Sequence, residues 1–139
     1  ADREAALLGR AETLIEAGRP DEALQILGGV GEGKTEAPDR VLFLEAMAAK
    51  ASEAEPEEVL DAFGKVCPEY PESDFCAQAL VTGTYTALDL KRPERARKFL
   101  ESFVDRFPKH PFLSKAVTDL ALLCVQAGDF EAAAAASEL

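Results

Sequence analysis

Residue types that catalytic and cofactor sites depend on are scarce in this chain. Its 139 residues include no Trp, one His and three Cys. No C-x-x-C pair occurs, and His110 lies far along the sequence from every Cys, so the closely spaced ligands of a zinc site are lacking. The sequence therefore predicts no metal site and no bound cofactor.

Long apolar runs and an excess of basic residues are lacking too. No run reaches the ~20 apolar residues of a membrane-spanning helix. The chain holds 26 acidic and 15 basic residues, a formal net charge of −11, and residues 1–72 alone carry 17 acids against 7 bases. Because non-specific nucleic-acid binding requires Lys and Arg to displace counterions, the sequence predicts no nucleic-acid partner and favours a basic protein partner.

The chain also begins without Met and carries no signal-like segment. We expect it to be a processed product or a piece of a longer protein, with any targeting or anchoring segment outside it. Apolar residues make up 47% of the chain and charged residues 29%, proportions typical of a globular domain. Its length suffices for one domain with a real core.

The odd number of cysteines leaves at least one thiol without an intramolecular partner. Cys124 lies on an apolar helical stripe, where a small buried side chain is expected. Cys67 and Cys76 flank one predicted inter-helix loop and could form a disulfide in an oxidising compartment. Spacing alone does not fix the Cα separation that a disulfide requires, so the redox state of this pair stays open.

A repeat of about 37 residues is visible in the second half of the sequence. Tyr70–Phe75 and Phe107–Phe112 both read aromatic-Pro followed four residues after the Pro by Phe. The residues that open the second helix of each predicted helix pair follow the same period: Pro20, Pro56, Pro93 and Phe130. Self-similarity at such a period is typical of stacked repeats, in which each unit buries its apolar face against the next.

Apolar periodicity and turn residues predict eight helices and no strand. The predicted helices cover 2–18, about 20–29, 38–52, a segment opened by Pro56, about 74–90, segments opened by Pro93 and Pro111, and 130–139. The segment 28–37, with its four glycines, is expected to be a loop. The eight predicted helices form four helical hairpins in a single domain, at about 2–30, 38–67, 73–107 and 110–139.

Two further patterns recur in these hairpins. Each second helix opens with an acidic residue and a small or branched one: Asp21–Leu24, Glu57–Leu60, Glu94–Arg97 and Glu131–Ala134. Each first helix has a small residue at a matching position: Ala11, Ala48, Thr84 and Ala121. In these features the chain resembles the tetratricopeptide repeat family, although the family's bulky first-helix aromatic residue is missing. The resemblance implies an all-α, right-handed superhelix of four hairpins, the last helix short, that acts as a non-catalytic protein-binding scaffold.

The aromatic-Pro junctions are similar to those of a subgroup of this family. Tyr70–Phe75 resembles the junctions of bacterial cell-envelope repeat proteins, of the outer-membrane-assembly lipoprotein and Tol-Pal-associated kind. This resemblance implies a periplasmic or envelope-associated protein.

The family binds partners on the concave face formed by its first helices. Carried over by position, the resemblance implies that this face contains Glu12, Ile15, Glu16, Glu45, Ala49, Gln78, Val81, Tyr85, Leu88, Asp89, Lys115, Thr118, Leu122 and Gln126. The set is acidic and partly apolar, so the expected partner is a basic peptide or an amphipathic helix.

An alternative function is nucleotide binding, because Gly28–Thr35 satisfies the phosphate-loop pattern G-x-x-x-x-G-K-[ST]. In that interpretation Lys34 would neutralise phosphate and Thr35 would hold Mg²⁺. Against it, Asp21–Leu27 repeats in phase with later helices rather than forming a strand. Pro38 would also remove a backbone donor from the second turn of the required helix.

Other charged groups have simpler interpretations as solvated helix ends. These are the acids Glu53, Glu55, Glu57 and Glu58, and the bases Lys91, Arg92, Arg95, Arg97 and Lys98. The bases could also bind an acidic partner, anionic lipid or a second copy of the chain. His110, beside Pro111, is expected to cap a helix.

The last helix lacks large apolar residues after its first position, since Ala132–Ala136 is a run of alanines. A helix this smooth could accept a neighbour, so a homo-oligomer formed through the C-terminal helix is a further possibility. A purely structural or oligomerisation segment is the third functional alternative.

Overall fold

Every element of regular structure in the described part of the chain is an α-helix. The computed structural model describes residues 2–33 and 35–139, leaving aside the side chains of Asp2 and Glu32. The helices are α1 (Asp2–Glu16), α2 (Pro20–Glu32), α3 (Pro38–Ala51), α4 (Pro56–Gly64), α5 (Val66–Glu69), α6 (Asp74–Asp89), α7 (Pro93–Arg106), α8 (Leu113–Gln126) and α9 (Phe130–Ser137). The all-helical prediction is therefore confirmed over these residues.

Prolines set the starts of four helices, as predicted. Pro20, Pro38, Pro56 and Pro93 each occupy the first position of a helix, where the missing N–H would have no intrahelical partner. The predicted fourth helix is split, since α4 ends at Gly64 and α5 follows. Pro68 has no N–H to donate to the Gly64 carbonyl four residues earlier, which accounts for the interruption.

The loop predicted at 28–37 is wrong over its first half. Helix α2 continues through Gly28, Gly29 and Gly31 to Glu32. Leu27 is buried in the core beside it and Val30 packs against that core, so burial of these side chains outweighs the poor helix propensity of glycine. The start predicted at Pro111 is also displaced, because α8 begins at Leu113.

The turn inside each hairpin is built on one residue with a left-handed backbone. These residues are Gly18, Glu53, Lys91 and Gly128, with φ of 79°, 57°, 59° and 79°. In the first turn, the N–H of Gly18 donates to the Ile15 carbonyl and that of Arg19 to the Leu14 carbonyl, at 3.1 and 2.8 Å. The other three turns repeat this pair of bonds, which closes the preceding helix in a Schellman motif.

The chain divides into two compact units, residues 1–79 and residues 80–139, and the boundary falls within α6. In unit 1 the core joins α1, α2 and α3 through the buried side chains of Leu8, Ala11, Ala23, Leu27, Val41 and Leu44. In unit 2 the buried residues of α7 and α8 are Ala96, Phe99, Leu100, Phe103, Ala116, Leu120, Leu123 and Cys124. Within each unit a second helix packs against the first helix of the next hairpin, as α2 does on α3 and α7 on α8.

Two segments that join hairpins share a backbone pattern. We call residues 67–76 the first junction and residues 104–113 the second junction. In the first, the N–H of Phe75 donates to the Ser73 hydroxyl at 3.0 Å. In the second, the N–H of Phe112 donates to Nδ1 of His110, also at 3.0 Å. The capping role predicted for Ser73 is therefore confirmed. The capping role predicted for His110 is wrong, because the N-cap of α8 is Phe112 and the bond of His110 goes to the N–H of that residue, before the helix begins.

Candidate partner-binding face

The predicted site residues all lie on the first helices of their hairpins, α1, α3, α6 and α8. Ile15, Val81, Tyr85 and Ala49 are half-buried. The other members are exposed: Glu12, Glu16, Glu45, Gln78, Leu88, Asp89, Lys115, Thr118, Leu122 and Gln126. Exposure is necessary for partner binding but does not by itself identify a binding face, so the face stays a prediction.

In unit 1, an ion pair joins the first helices of the two hairpins. Glu12 on α1 accepts from Nη2 of Arg40 on α3 at 3.0 Å, and about half of the Glu12 side chain remains exposed. Arg40 was not among the predicted site residues. The contact could not be read from the sequence, because it joins residues 28 positions apart in different helices.

Glu45, on α3, is a carboxylate in an unfavourable setting. Although its surface is exposed, desolvation by the surrounding protein raises the pKa of the carboxyl group above its usual value, and Lys65 opposes this shift only in part. A cationic side chain from a partner would stabilise the charged form of Glu45.

In unit 2, the structure brings together two predicted residues, Tyr85 on α6 and Lys115 on α8. Nζ of Lys115 lies 5.7 Å from the centroid of the Tyr85 ring. Asp119 completes the group: it accepts from the Tyr85 hydroxyl at 3.2 Å and from Lys115 at 3.1 Å. The hydrogen bond to Asp119, followed by the interaction with Tyr85, raises the pKa of Lys115. Asp119 was missed, although its spacing of four residues from Lys115 is a recognisable signal.

Two large apolar side chains at predicted positions face solvent. Leu88 is 37% exposed and Leu122 is 55% exposed. With the half-buried ring of Tyr85, they give the first helices of unit 2 apolar contact surface beside a charged pair. A surface of this type suits an amphipathic segment.

The phosphate loop of the alternative hypothesis is not formed by the described residues. Gly28, Gly29 and Gly31 are helical, and an α-helix directs its N–H groups to carbonyls four residues earlier. The Thr35 hydroxyl donates to Glu4 and accepts the N–H of Ala37, so it serves the start of α3. Lys34 lies outside the described residues.

Two arginines of the basic cluster at the start of α7 have partners within the protein. Nη2 of Arg97 bonds Asp129 at 2.8 Å, and this hydrogen bond raises the pKa of the guanidinium and lowers that of the carboxyl group. Asp129 also caps α9 by accepting from the N–H of Ala132 at 3.1 Å, as the sequence predicted. Arg95 lies over the ring of Phe99.

Cys67 and Cys76 are joined by a disulfide, with their Cα atoms 4.6 Å apart, and both residues are buried. Cys124 is a free buried thiol, as predicted. Across the described residues, no group of three or more His, Cys, Asp or Glu side chains is arranged to hold a metal ion. Nor does any helix in this part of the chain have the length and apolarity needed to span a membrane.

Comparisons with known proteins agree with this fold. The family described as "Tetratricopeptide repeat" matches residues 83–110. The structure titled "MamA 41-end from Desulfovibrio magneticus RS-1" is similar with a TM-score of 0.58 and 16% identity, covering 99% of this chain and 93% of that one. A second structure, "MamA RS-1 ArsTM double mutant", has the same TM-score and identity and is covered to 92%. No curated protein matches this chain. The family match and the two structures together support a tetratricopeptide repeat fold.

Proposed function

We propose that this chain is a non-catalytic scaffold that binds a partner protein or peptide on exposed surfaces of its first helices. The tetratricopeptide-like fold is one used by protein-interaction scaffolds, which supports the general role. The observation that carries the choice of face is the exposure of Leu88 and Leu122 beside the Tyr85, Lys115 and Asp119 group. Exposed apolar side chains next to fixed charges are what a protein-binding surface requires.

The proposed partner is a segment with both basic and apolar side chains. Unit 1 contains 18 acidic and 7 basic residues, a net charge of −11, whereas unit 2 contains 8 of each. The acids Glu12, Glu16 and Glu45 would attract cationic side chains of the partner. Leu88 and Leu122 would contact its apolar side chains.

We also propose that the protein works in an oxidising compartment, such as the bacterial cell envelope. The support is the disulfide between Cys67 and Cys76, a type of bond that is rare in reducing cytosol. Alkylation of free thiols in intact cells, followed by mass measurement, tests this. A single modified cysteine after denaturation is expected. Three modified cysteines would place the protein in a reducing compartment.

The binding face can be tested by titration with amphipathic helical peptides of equal length and differing charge. Amide chemical shifts are expected to move most on α6 and α8 with the basic peptide. Leu122→Glu and Leu88→Glu should each weaken this binding about tenfold or more, since each places a charge where an apolar contact forms. Leu24→Glu is the matched control, because Leu24 is 36% exposed and lies on the second helix α2.

Binding that is equally weakened by Leu24→Glu would show that the effect is not specific to the first helices. Shifts confined to the second helices would overturn the proposed face. Preference for the acidic peptide would overturn the proposed charge of the partner, while leaving the face intact.

A further inference from the structure

Exposed large apolar side chains are concentrated at the end of the described chain. Six such side chains are exposed in the described residues, and four of them follow residue 121: Leu122, Val125, Phe130 and Leu139. Leu122 and Val125 are three residues apart and share one side of α8. Phe130 is 68% exposed and begins α9, which packs against α8. We call Leu122, Val125 and Phe130 the C-terminal face.

The first helix has an uncovered face of a different kind. Ala6, Arg10 and Thr13 of α1 are exposed, and we call them the N-terminal face. In the repeat, these positions correspond to Ala79, Gly83 and Thr86 of α6, and to Ala116, Leu120 and Leu123 of α8. All six of those residues are buried. Two of the α6 residues even match in type, Ala6 with Ala79 and Thr13 with Thr86.

The two faces differ in charge. Glu131 follows Phe130 and is exposed, as is Glu138 near the end of α9. The N-terminal face includes Arg10, and the exposed Arg3 lies two turns before it on α1. Two C-terminal faces brought together would place like charges near one another, whereas a C-terminal and an N-terminal face would be electrostatically complementary.

We propose that a second copy of this chain is the partner of the C-terminal face, and that it docks head to tail through its N-terminal face. Within unit 1, α2 packs against α3, and within unit 2, α7 packs against α8. Docking of α9 on α1 of the next copy repeats this second-helix to first-helix contact. The large side chains Leu122, Val125 and Phe130 would then cover the small side chains Ala6 and Thr13.

Such a contact uses different surfaces on the two copies. A dimer formed in this way keeps one free face at each end, and further copies can therefore bind. The assembly overlaps the partner binding proposed above at Leu122 alone. It also uses Val125 and Phe130, neither of which was predicted as a residue of the partner-binding face.

Sedimentation velocity over a wide concentration range tests the proposal. The weight-average mass of the wild-type chain is expected to rise above the monomer value of 14.9 kDa as the concentration increases, and to fall again in high salt. Phe130→Glu and Arg10→Glu should each return the mass to the monomer value. Leu24→Glu, at an exposed apolar position outside both faces, should leave the association unchanged.

Mixing the two variants gives the sharpest result. Arg10→Glu retains an intact C-terminal face, and Phe130→Glu retains an intact N-terminal face. Together they are expected to form a 1:1 dimer that does not extend further. A wild-type chain that stays monomeric at every concentration would overturn the proposal. So would association of the Arg10→Glu variant with itself, because that would indicate contact between two C-terminal faces.

Discussion

The two junctions have the same backbone pattern and are stabilised by different chemistry. In the first junction, a disulfide joins Cys67 to Cys76, and the Ser73 hydroxyl donates to Asp39 at 2.5 Å. At the second, the ring of Phe103, on α7 just before the junction, contacts those of Phe107, His110 and Phe112, with centroids 5.3, 5.1 and 5.5 Å away. The repeat thus specifies the path of the backbone. The interactions that stabilise this path differ from one junction to the other.

The residues that differ between the two junctions show how one kind of stabilising interaction replaces the other. By the 37-residue shift, Cys67 and Cys76 correspond to Val104 and Leu113. The second junction therefore has two aliphatic side chains where the first has a covalent bond. The aromatic cluster beside them provides contacts that involve more residues but need no oxidant.

The largest expected effect is the loss of the Phe103 ring, around which the aromatic cluster at the second junction packs. Phe103→Ala removes a fully buried side chain with three aromatic neighbours, and should lower the free energy of unfolding by about 3–5 kcal/mol. Urea denaturation measures it. Phe130→Ala, at an exposed position, should change this free energy by less than about 0.5 kcal/mol. Comparable losses in the two variants would contradict the importance assigned to the cluster.

A somewhat smaller effect is expected at the first junction. Replacing both Cys67 and Cys76 by Ala removes a crosslink with a sequence separation of 9, which should cost about 2.5 kcal/mol through the entropy of the unfolded chain. Reductant should destabilise the wild-type chain by a similar amount. The same reductant should not affect the double variant, because Cys124 is a free thiol. A wild-type melting temperature insensitive to reductant would contradict this comparison.

Ser73 and His110 occupy matching positions in the two junctions, and each side chain accepts the backbone N–H of the residue two positions later. His110→Ala and Ser73→Ala each remove the acceptor of a backbone N–H and should cost about 1 kcal/mol. His110→Ser restores an acceptor without the ring, so it should recover part of the loss. Thermal unfolding of the three variants measures this. If His110→Ser were no better than His110→Ala, the ring contacts rather than the hydrogen bond from the Phe112 N–H would account for the role of His110.

Much of this fold could be predicted from the sequence, because its signals are local. Prolines at helix starts and the 37-residue period located the helices and their pairing. The end of α2 could not be predicted, since the glycines favour a loop and the deciding contribution is the burial of Leu27 in a core formed by distant residues. The disulfide could not be predicted for a similar reason: the Cα separation of Cys67 and Cys76 depends on how the whole junction folds.

The predicted binding face shows the same limit. Its residues lie on the first helices and mostly on the exposed surface, but the sequence did not identify the side chains that they contact. Arg40 contacts Glu12 from another helix, and the sequence contains no local signal for that pair. Asp119 could have been found from its spacing with Lys115, whereas its hydrogen bond with Tyr85 requires the packing of α6 and α8 in unit 2.

The hairpin turns permit a finer comparison inside each unit, since each contains one glycine turn and one turn with a larger residue. Glu53 and Lys91 have the left-handed backbone that Gly18 and Gly128 adopt without strain. Lys91→Gly is expected to stabilise the protein by about 0.5–1 kcal/mol, and Gly128→Ala to destabilise it by about 1 kcal/mol. Chemical denaturation measures both. Destabilisation by Lys91→Gly would mean that the Lys91 side chain stabilises its turn enough to offset the backbone strain.

The smallest expected effect concerns the acidity that distinguishes unit 1 from unit 2. Glu45 corresponds to the uncharged Val81 and Thr118 in the repeat, and desolvation raises the pKa of its carboxyl group above the unfolded value of 4.5. Between 4.5 and the raised pKa, the native state binds more protons than the unfolded state, so stability falls as pH rises through this window. Glu45→Gln should therefore match the wild type below pH 4.5 and be more stable above the window. Lys65→Met should enlarge the wild-type pH dependence, because Lys65 partly offsets the desolvation. Denaturation of all three proteins across this pH range tests the sign, and a Gln variant that is less stable at neutral pH would show that the charge of Glu45 stabilises unit 1 even without a partner.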